Sequence, residues 1–316
     1  MPTPLPESLQ NWLDAFNGAK QLLLEKGFIA TPSNAREALE LITRRFVETA
    51  PEIPLVKDAL VPGAGHQVPV RIYHPAPGEA LPLLIFAHGG GHMAGSLSLY
   101  DRIARRLTEA SGHLLVSVDY RLAPECRYPA GLQDLVQVVE GIRPLLRQLQ
   151  ITAGDGLSLA GDSAGGALCA SAAHHFQYRP DHPIDKLVLI YPSLDYTLSH
   201  PSTETLASGY LLERERILWY FDNYFPPLQD RRLASPLFMP ADGRLPQTLL
   251  LTAEYCPLRD EGAAYVERLR TVGVQAELLP FDGMVHAFLN LESLVPDSCA
   301  RAYREIGRFL QKGRRV

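Results

Sequence analysis

The chain divides by the period of its apolar positions. Over residues 7 to 46 the spacing is helical, with Leu9, Leu13 and Phe16 on one face, then Leu22 to Leu24, then Ala38, Leu41 and Phe46. From Pro54 the pattern turns to strands. Leu55-Val56, Ala59-Leu60-Val61 and Val68 to Tyr73 are parted by Pro62-Gly63-Ala64-Gly65, which predicts an antiparallel opening pair. Leu83 to Ala87 and Leu114 to Val118 are unbroken apolar runs of strand length, as found in a parallel sheet covered on both faces. A helix near residues 98 to 110 separates them. Leu132, Leu135, Val139, Ile142, Leu146 and Leu149 then recur at steps of three and four, the clearest helix in the sequence, with a kink expected at Pro144. Strands are expected again at 157–160, 187–191, 248–253 and 276–280, and a last helix turns Ala302, Tyr303, Ile306 and Leu310 inward. Strands alternating with helices predict an α/β fold: a doubly wound, mostly parallel central sheet flanked by helices.

Residues 196 to 235 break the alternation. They carry Tyr210, Leu211, Leu212, Trp219, Tyr220, Phe221, Tyr224 and Phe225, too apolar for a linker. An inserted helical segment is expected here, forming with residues 1–48 a helical cap over the carboxyl ends of the strands, where open α/β sheets bind ligands. That leaves 49–195 and 236–316 as the core. Any one of these aromatics is equally compatible with ordinary helix packing.

Composition narrows the class. At 316 residues and 46% hydrophobic content, the chain can bury the core of one large α/β domain with an insertion. A net charge of -5 with interspersed signs argues against nucleic acid or an anionic membrane as partner. The basic end Lys312-Gly313-Arg314-Arg315 reads as a solvated tail. Cys126, Cys169, Cys256 and Cys299 are far apart with no C-x-x-C pair, which fits a reducing compartment. Neither a signal peptide nor an apolar run long enough to span a bilayer is visible, so a soluble, cytoplasmic protein is expected.

The chemistry centres on Gly161-Asp162-Ser163-Ala164-Gly165-Gly166, between the apolar strand Leu157 to Ala160 and a helix-forming run. A G-x-S-x-G corner is sharp and strained, and it raises the serine above the sheet, as a nucleophile requires. Ser163 then needs a base, and His286, in the loop expected at 281–288 between the last strand and the last helix, follows it in the right chain order. His174, His175 and His182 are expected to face away from the turn, and His66, His74, His113 and His200 sit at element edges. His88 and His92 are four apart, but the glycines between them hold no helix that could present a metal site. After a strand, His88-Gly89-Gly90-Gly91 supplies unladdered backbone N–H groups. Those of Gly89, Gly90 and, at the start of the serine helix, Ala164 are the candidate oxyanion donors.

With these motifs, and with Asp119-Tyr120-Arg121-Leu122-Ala123-Pro124-Glu125, Tyr191 to Asp195, Thr252 to Gly262 and Gly283 to His286, the sequence resembles the hormone-sensitive-lipase-like branch of the α/β-hydrolase carboxylesterases, bacterial family IV. The resemblance spans roughly residues 50 to 316. It implies hydrolysis of short- to medium-chain carboxylic esters through an acyl-enzyme, without metal or organic cofactor, under a helical cap. A small ester is the implied partner, and homodimers are frequent in the family. Two positions depart from the family pattern. His92 stands where a large aromatic is usual. Cys256 stands where the first aspartate of Asp-Pro-Leu-x-Asp-Glu-Gly orients the histidine. A neutral thiol is a weak acceptor without charge. Asp260, Asp195 or an original aspartate at 256 itself are the open sources of the missing acid. Arg121, Glu125 and Glu254 read as loop ties. A non-catalytic or weakly catalytic small-molecule binder, as in the gibberellin-receptor branch, and an amide or lactone hydrolase stay open as alternatives.

Overall fold

The computed structural model describes residues 2–180 and 183–312. His182 and the Gly313-Arg314-Arg315 part of the basic end lie outside them. Helices α1 (Glu7–Glu25) and α2 (Pro32–Phe46) precede the first strand. Thr31 starts α2 by a reciprocal cap: its hydroxyl accepts from the Asn34 N–H, and the Asn34 side chain accepts from the Thr31 N–H.

The sheet then builds through β1 (Leu55–Val61), β2 (Val68–His74), β3 (Leu81–Ala87), α3 (Leu97–Ser111), β4 (Leu114–Val118), α4 (Ala130–Gln148), β5 (Ala153–Asp162), α5 (Ala164–Phe176) and β6 (Lys186–Ile190). After the insertion, which holds α6 (Ser202–Thr205), α7 (Arg214–Tyr224) and α8 (Arg231–Ala234), it closes with β7 (Gln247–Tyr255), α9 (Arg259–Thr271), β8 (Ala276–Val285) and α10 (Pro296–Gln311). The order is β1-β2-β4-β3-β5-β6-β7-β8. β1 and β2 pair antiparallel, as the Pro/Gly break predicts, and β2 is antiparallel to β4; every later pairing is parallel.

One apolar layer packs α3, α10 and the N-terminal helices on one face of the sheet, and a second packs α4, α5 and α9 on the other. With both faces covered, β3, β4 and β6 are almost wholly buried, which is why their sequences are unbroken apolar runs. α4 is continuous through Pro144. β8 outruns its apolar signal: Asp282-Gly283 interrupts the pattern, but Tyr255 pairs with Val285 beyond an irregularity after Ala253, so the strand reaches the residue before His286. Among the described residues no helix is long and apolar enough to cross a membrane.

Candidate active site

Ser163 sits between β5 and α5 with φ 53° and ψ -119°, a left-handed backbone that only strong surroundings hold. Those surroundings require glycine on both sides. A Cβ on Gly161 would lie 2.4 Å from the Gly165 backbone, and one on Gly165 would lie 2.0 Å from the Ala87 carbonyl oxygen. The Ser163 N–H donates to the Ile190 carbonyl at 2.9 Å, which pins the corner to β6.

β8 delivers His286 to the same point. Its Nε2 lies 2.9 Å from Ser163 Oγ and its Nδ1 3.1 Å from Cys256 Sγ, just past the end of β7. The Leu258 N–H also donates to that sulfur, at 3.3 Å. Ser, His and Cys therefore form a contiguous chain. Its electrostatics are unusual because burial acts on it without a counter-charge. Desolvation pulls the His286 imidazolium down to about 3 and pushes the Cys256 thiol upward.

Neither alternative acid reaches the histidine. The Asp260 carboxylate accepts from the Ser202 N–H and from Arg259. Asp195 is captured by the backbone and hydroxyls of Thr197 and Ser199, close by in its own loop. Among the described residues Cys256 is the hydrogen-bond partner of His286 Nδ1.

One oxyanion expectation needs correction. The Gly89 N–H is already donated to Asp162 Oδ1 at 2.7 Å, so it is not available to a substrate. Gly90 (φ 119°) and Gly91 (φ 62°) follow it, and both line the cavity beside Ser163, as does Ala164. Nothing in a run of three glycines tells from the sequence which N–H is spent. His88 stays structural: it is buried between the rings of Tyr100 and Tyr120, and its Nδ1 meets the Gly89 carbonyl. His92 stacks on Tyr224 with ring centres 3.7 Å apart and meets the Tyr196 hydroxyl through Nε2, tying the glycine loop to the insertion.

The cavity above Ser163 measures about 180 Å³. Its upper walls come from α1 (Phe16), α2 (Leu39, Ile42) and α7 with the residues before it (Leu211, Leu212, Tyr220, Phe221), largely apolar and partly aromatic. Arg36 fixes α2 in place, a role no sequence pattern announces. Its guanidinium donates to the Met93 and Ala123 carbonyls and pairs with Glu125. Arg121, by contrast, is held by Asp134 of α4, and Glu254 accepts from the Thr3 and Gly283 N–H groups. Among the described residues no cluster of His, Cys, Asp and Glu could hold a metal ion.

Residues 84–290 match a family described by the alpha/beta hydrolase fold. The sequence is 33% identical to an ethyl acetate hydrolase of Pseudomonas putida over 84% of this chain and 88% of that one. It is 35% identical to a carboxylesterase of Mycobacterium tuberculosis over 72% and 73% respectively. A hyperthermophilic esterase from the archaeon Pyrobaculum calidifontis superimposes with a TM-score of 0.87 at 33% identity, covering 98% of both chains.

Proposed function

The chain belongs to the hormone-sensitive-lipase-like carboxylesterases of the α/β-hydrolase fold, and on that premise we propose that it cleaves carboxylic esters through an acyl-enzyme on Ser163. Ser163 Oγ attacks the ester carbonyl carbon and its proton passes to His286 Nε2. The N–H groups of Gly90, Gly91 and Ala164 receive the oxygen as it becomes an anion, with the start of α5 adding its positive end. Collapse expels the alcohol, which takes the proton back from His286. A water molecule then repeats the sequence on the acyl-enzyme, His286 acting as base, and the carboxylic acid leaves. The observation that carries this reading is the 2.9 Å contact between His286 Nε2 and Ser163 Oγ at the floor of an apolar cavity.

Residues 1–48 and 196–235 act as the cap, through α1, α2 and α7, on a core of 49–195 and 236–316. We read the preferred acyl group as short to medium because α1, α2 and α7 wall the cavity over Ser163, which measures about 180 Å³. Each methylene buried contributes about 0.8 kcal/mol, roughly fourfold in kcat/KM, as long as there is room. In a series of p-nitrophenyl esters, kcat/KM is expected to climb by about that factor per methylene from acetate through butyrate and then to level and fall for long chains. A steady climb to palmitate would contradict the size limit read from the cavity walls, and no turnover of any member would contradict the esterase reading.

A further inference from the structure

Asp162 is the buried carboxylate next to the nucleophile, and ester cleavage as described does not use it. Its two oxygens are nevertheless committed: Oδ1 accepts the Gly89 N–H at 2.7 Å and Oδ2 the Tyr100 hydroxyl at 3.3 Å. Gly89 has no room for anything else, since a Cβ there would come 2.3 Å from Asp162 Oδ2. Asn290 lines the same cavity as Tyr100 and Asp162, and its Nδ2 donates to Thr43 Oγ1 of α2 at 3.0 Å. Tyr100, Asp162, Asn290 and Thr43 are all buried, and the first three line the cavity. The Asp162 carboxylate thus joins the glycine loop, through Gly89, to α3, through Tyr100.

We propose that Asp162 is a positioning residue for the oxyanion loop: by taking the Gly89 N–H it orients the next two N–H groups toward the substrate, while Tyr100 of α3 holds its second oxygen in place, completing this latch. The inference rests on the esterase reading and adds to it a device that sets the oxyanion geometry from a buried carboxylate. The two donors suit an ionised carboxylate, which accepts at both oxygens; a protonated one must turn one oxygen into a donor. Burial pushes the Asp162 carboxyl up to about 7, with the Gly89 and Tyr100 hydrogen bonds pulling the other way. The titratable groups that face it are Tyr100 from α3, Tyr120 after β4, Cys169 from α5, Tyr191 after β6 and Tyr303 from α10, each kept neutral by burial. The latch is therefore intact above this range and is lost as pH falls through it. Over that same range His286, held near 3, is already the neutral base.

The test measures kcat, KM and the pH profile of p-nitrophenyl butyrate hydrolysis for the full-length wild type, Tyr100→Phe and Asp162→Asn, with thermal melts alongside. Tyr100→Phe is expected to lower kcat about tenfold to a hundredfold, the size of a misplaced catalytic group, with KM little changed. It should also move the acid limb to higher pH, because the lost donor stabilised the charged form. Asp162→Asn, which cannot titrate, is expected to remove that limb altogether. An active wild type whose limb and kcat are unaltered by Tyr100→Phe overturns the latch alone, as does an Asp162→Asn variant that keeps the limb. An inactive wild type overturns the esterase reading and the latch with it.

Discussion

Cys256→Asp is expected to raise kcat by about 100- to 10,000-fold, with KM nearly unchanged. In the serine protease template, replacing the triad aspartate by its amide costs about 10,000-fold, because the imidazole is left in the wrong tautomer without a counter-charge. Here the geometry of a triad is present and the charge is missing. Cys256 Sγ stands 3.1 Å from His286 Nδ1. A neutral thiol can donate its proton to Nδ1, which leaves the remaining imidazole proton on Nε2, facing Ser163, where a base needs a lone pair. A carboxylate accepts from Nδ1 only, and the Leu258 N–H that now points at the sulfur is placed to hold it. The same change has a pH signature. A negative charge beside the ring favours imidazolium, so the His286 pKa rises from about 3. Activity of the variant is then lost as pH falls through that raised value. Cys256→Ser supplies size without charge and is expected to give no gain. A folded Cys256→Asp protein no faster than its parent would mean that charge is not what the site lacks.

Ser163→Ala is expected to have two very different effects, depending on residue 256. Triad members act as a unit: losing the serine of a complete triad costs about 2 × 10⁶ in kcat, whereas losing the aspartate alone costs about 3 × 10⁴. The ratio leaves roughly 70-fold for a serine and histidine working without their acid. Ser163→Ala in the native chain should therefore cost about 100-fold, and in the Cys256→Asp chain about a millionfold. Steady-state rates of the four proteins in this cycle read the coupling directly. Equal losses in both backgrounds would mean that residue 256 does not act through the serine.

Much of this arrangement was legible in the chain because it depends on local sterics. The corner at Ser163 needs glycine on both sides whatever lies beyond it, and the buried strands announce themselves as apolar runs. The place of Cys256 was legible only through the family resemblance, in whose Asp-Pro-Leu-x-Asp-Glu-Gly motif that position orients the histidine. What escaped was set by long contacts. Which glycine N–H is free depends on Asp162, 73 residues from Gly89 in the chain. The role of Arg36 depends on carbonyls 57 and 87 residues away. Asp195 was legible as a carboxylate after a strand end and Asp260 as one at a helix start, but the partners that engage them were not. For Asp195 the signal existed: Thr197 and Ser199 follow at the spacing with which short polar side chains capture a local acid.

The central claim is that one serine, served by one histidine, carries the acyl group. Reaction with diethyl p-nitrophenyl phosphate, an ester mimic that leaves a stable phosphoryl group on a nucleophile, tests it most directly when followed by peptide mass mapping. The account predicts stoichiometric release of p-nitrophenolate, loss of esterase activity in step with it, and the added mass on Ser163, with no labelling of Ser163→Ala. Label on another residue, or full esterase activity after complete labelling, would contradict it.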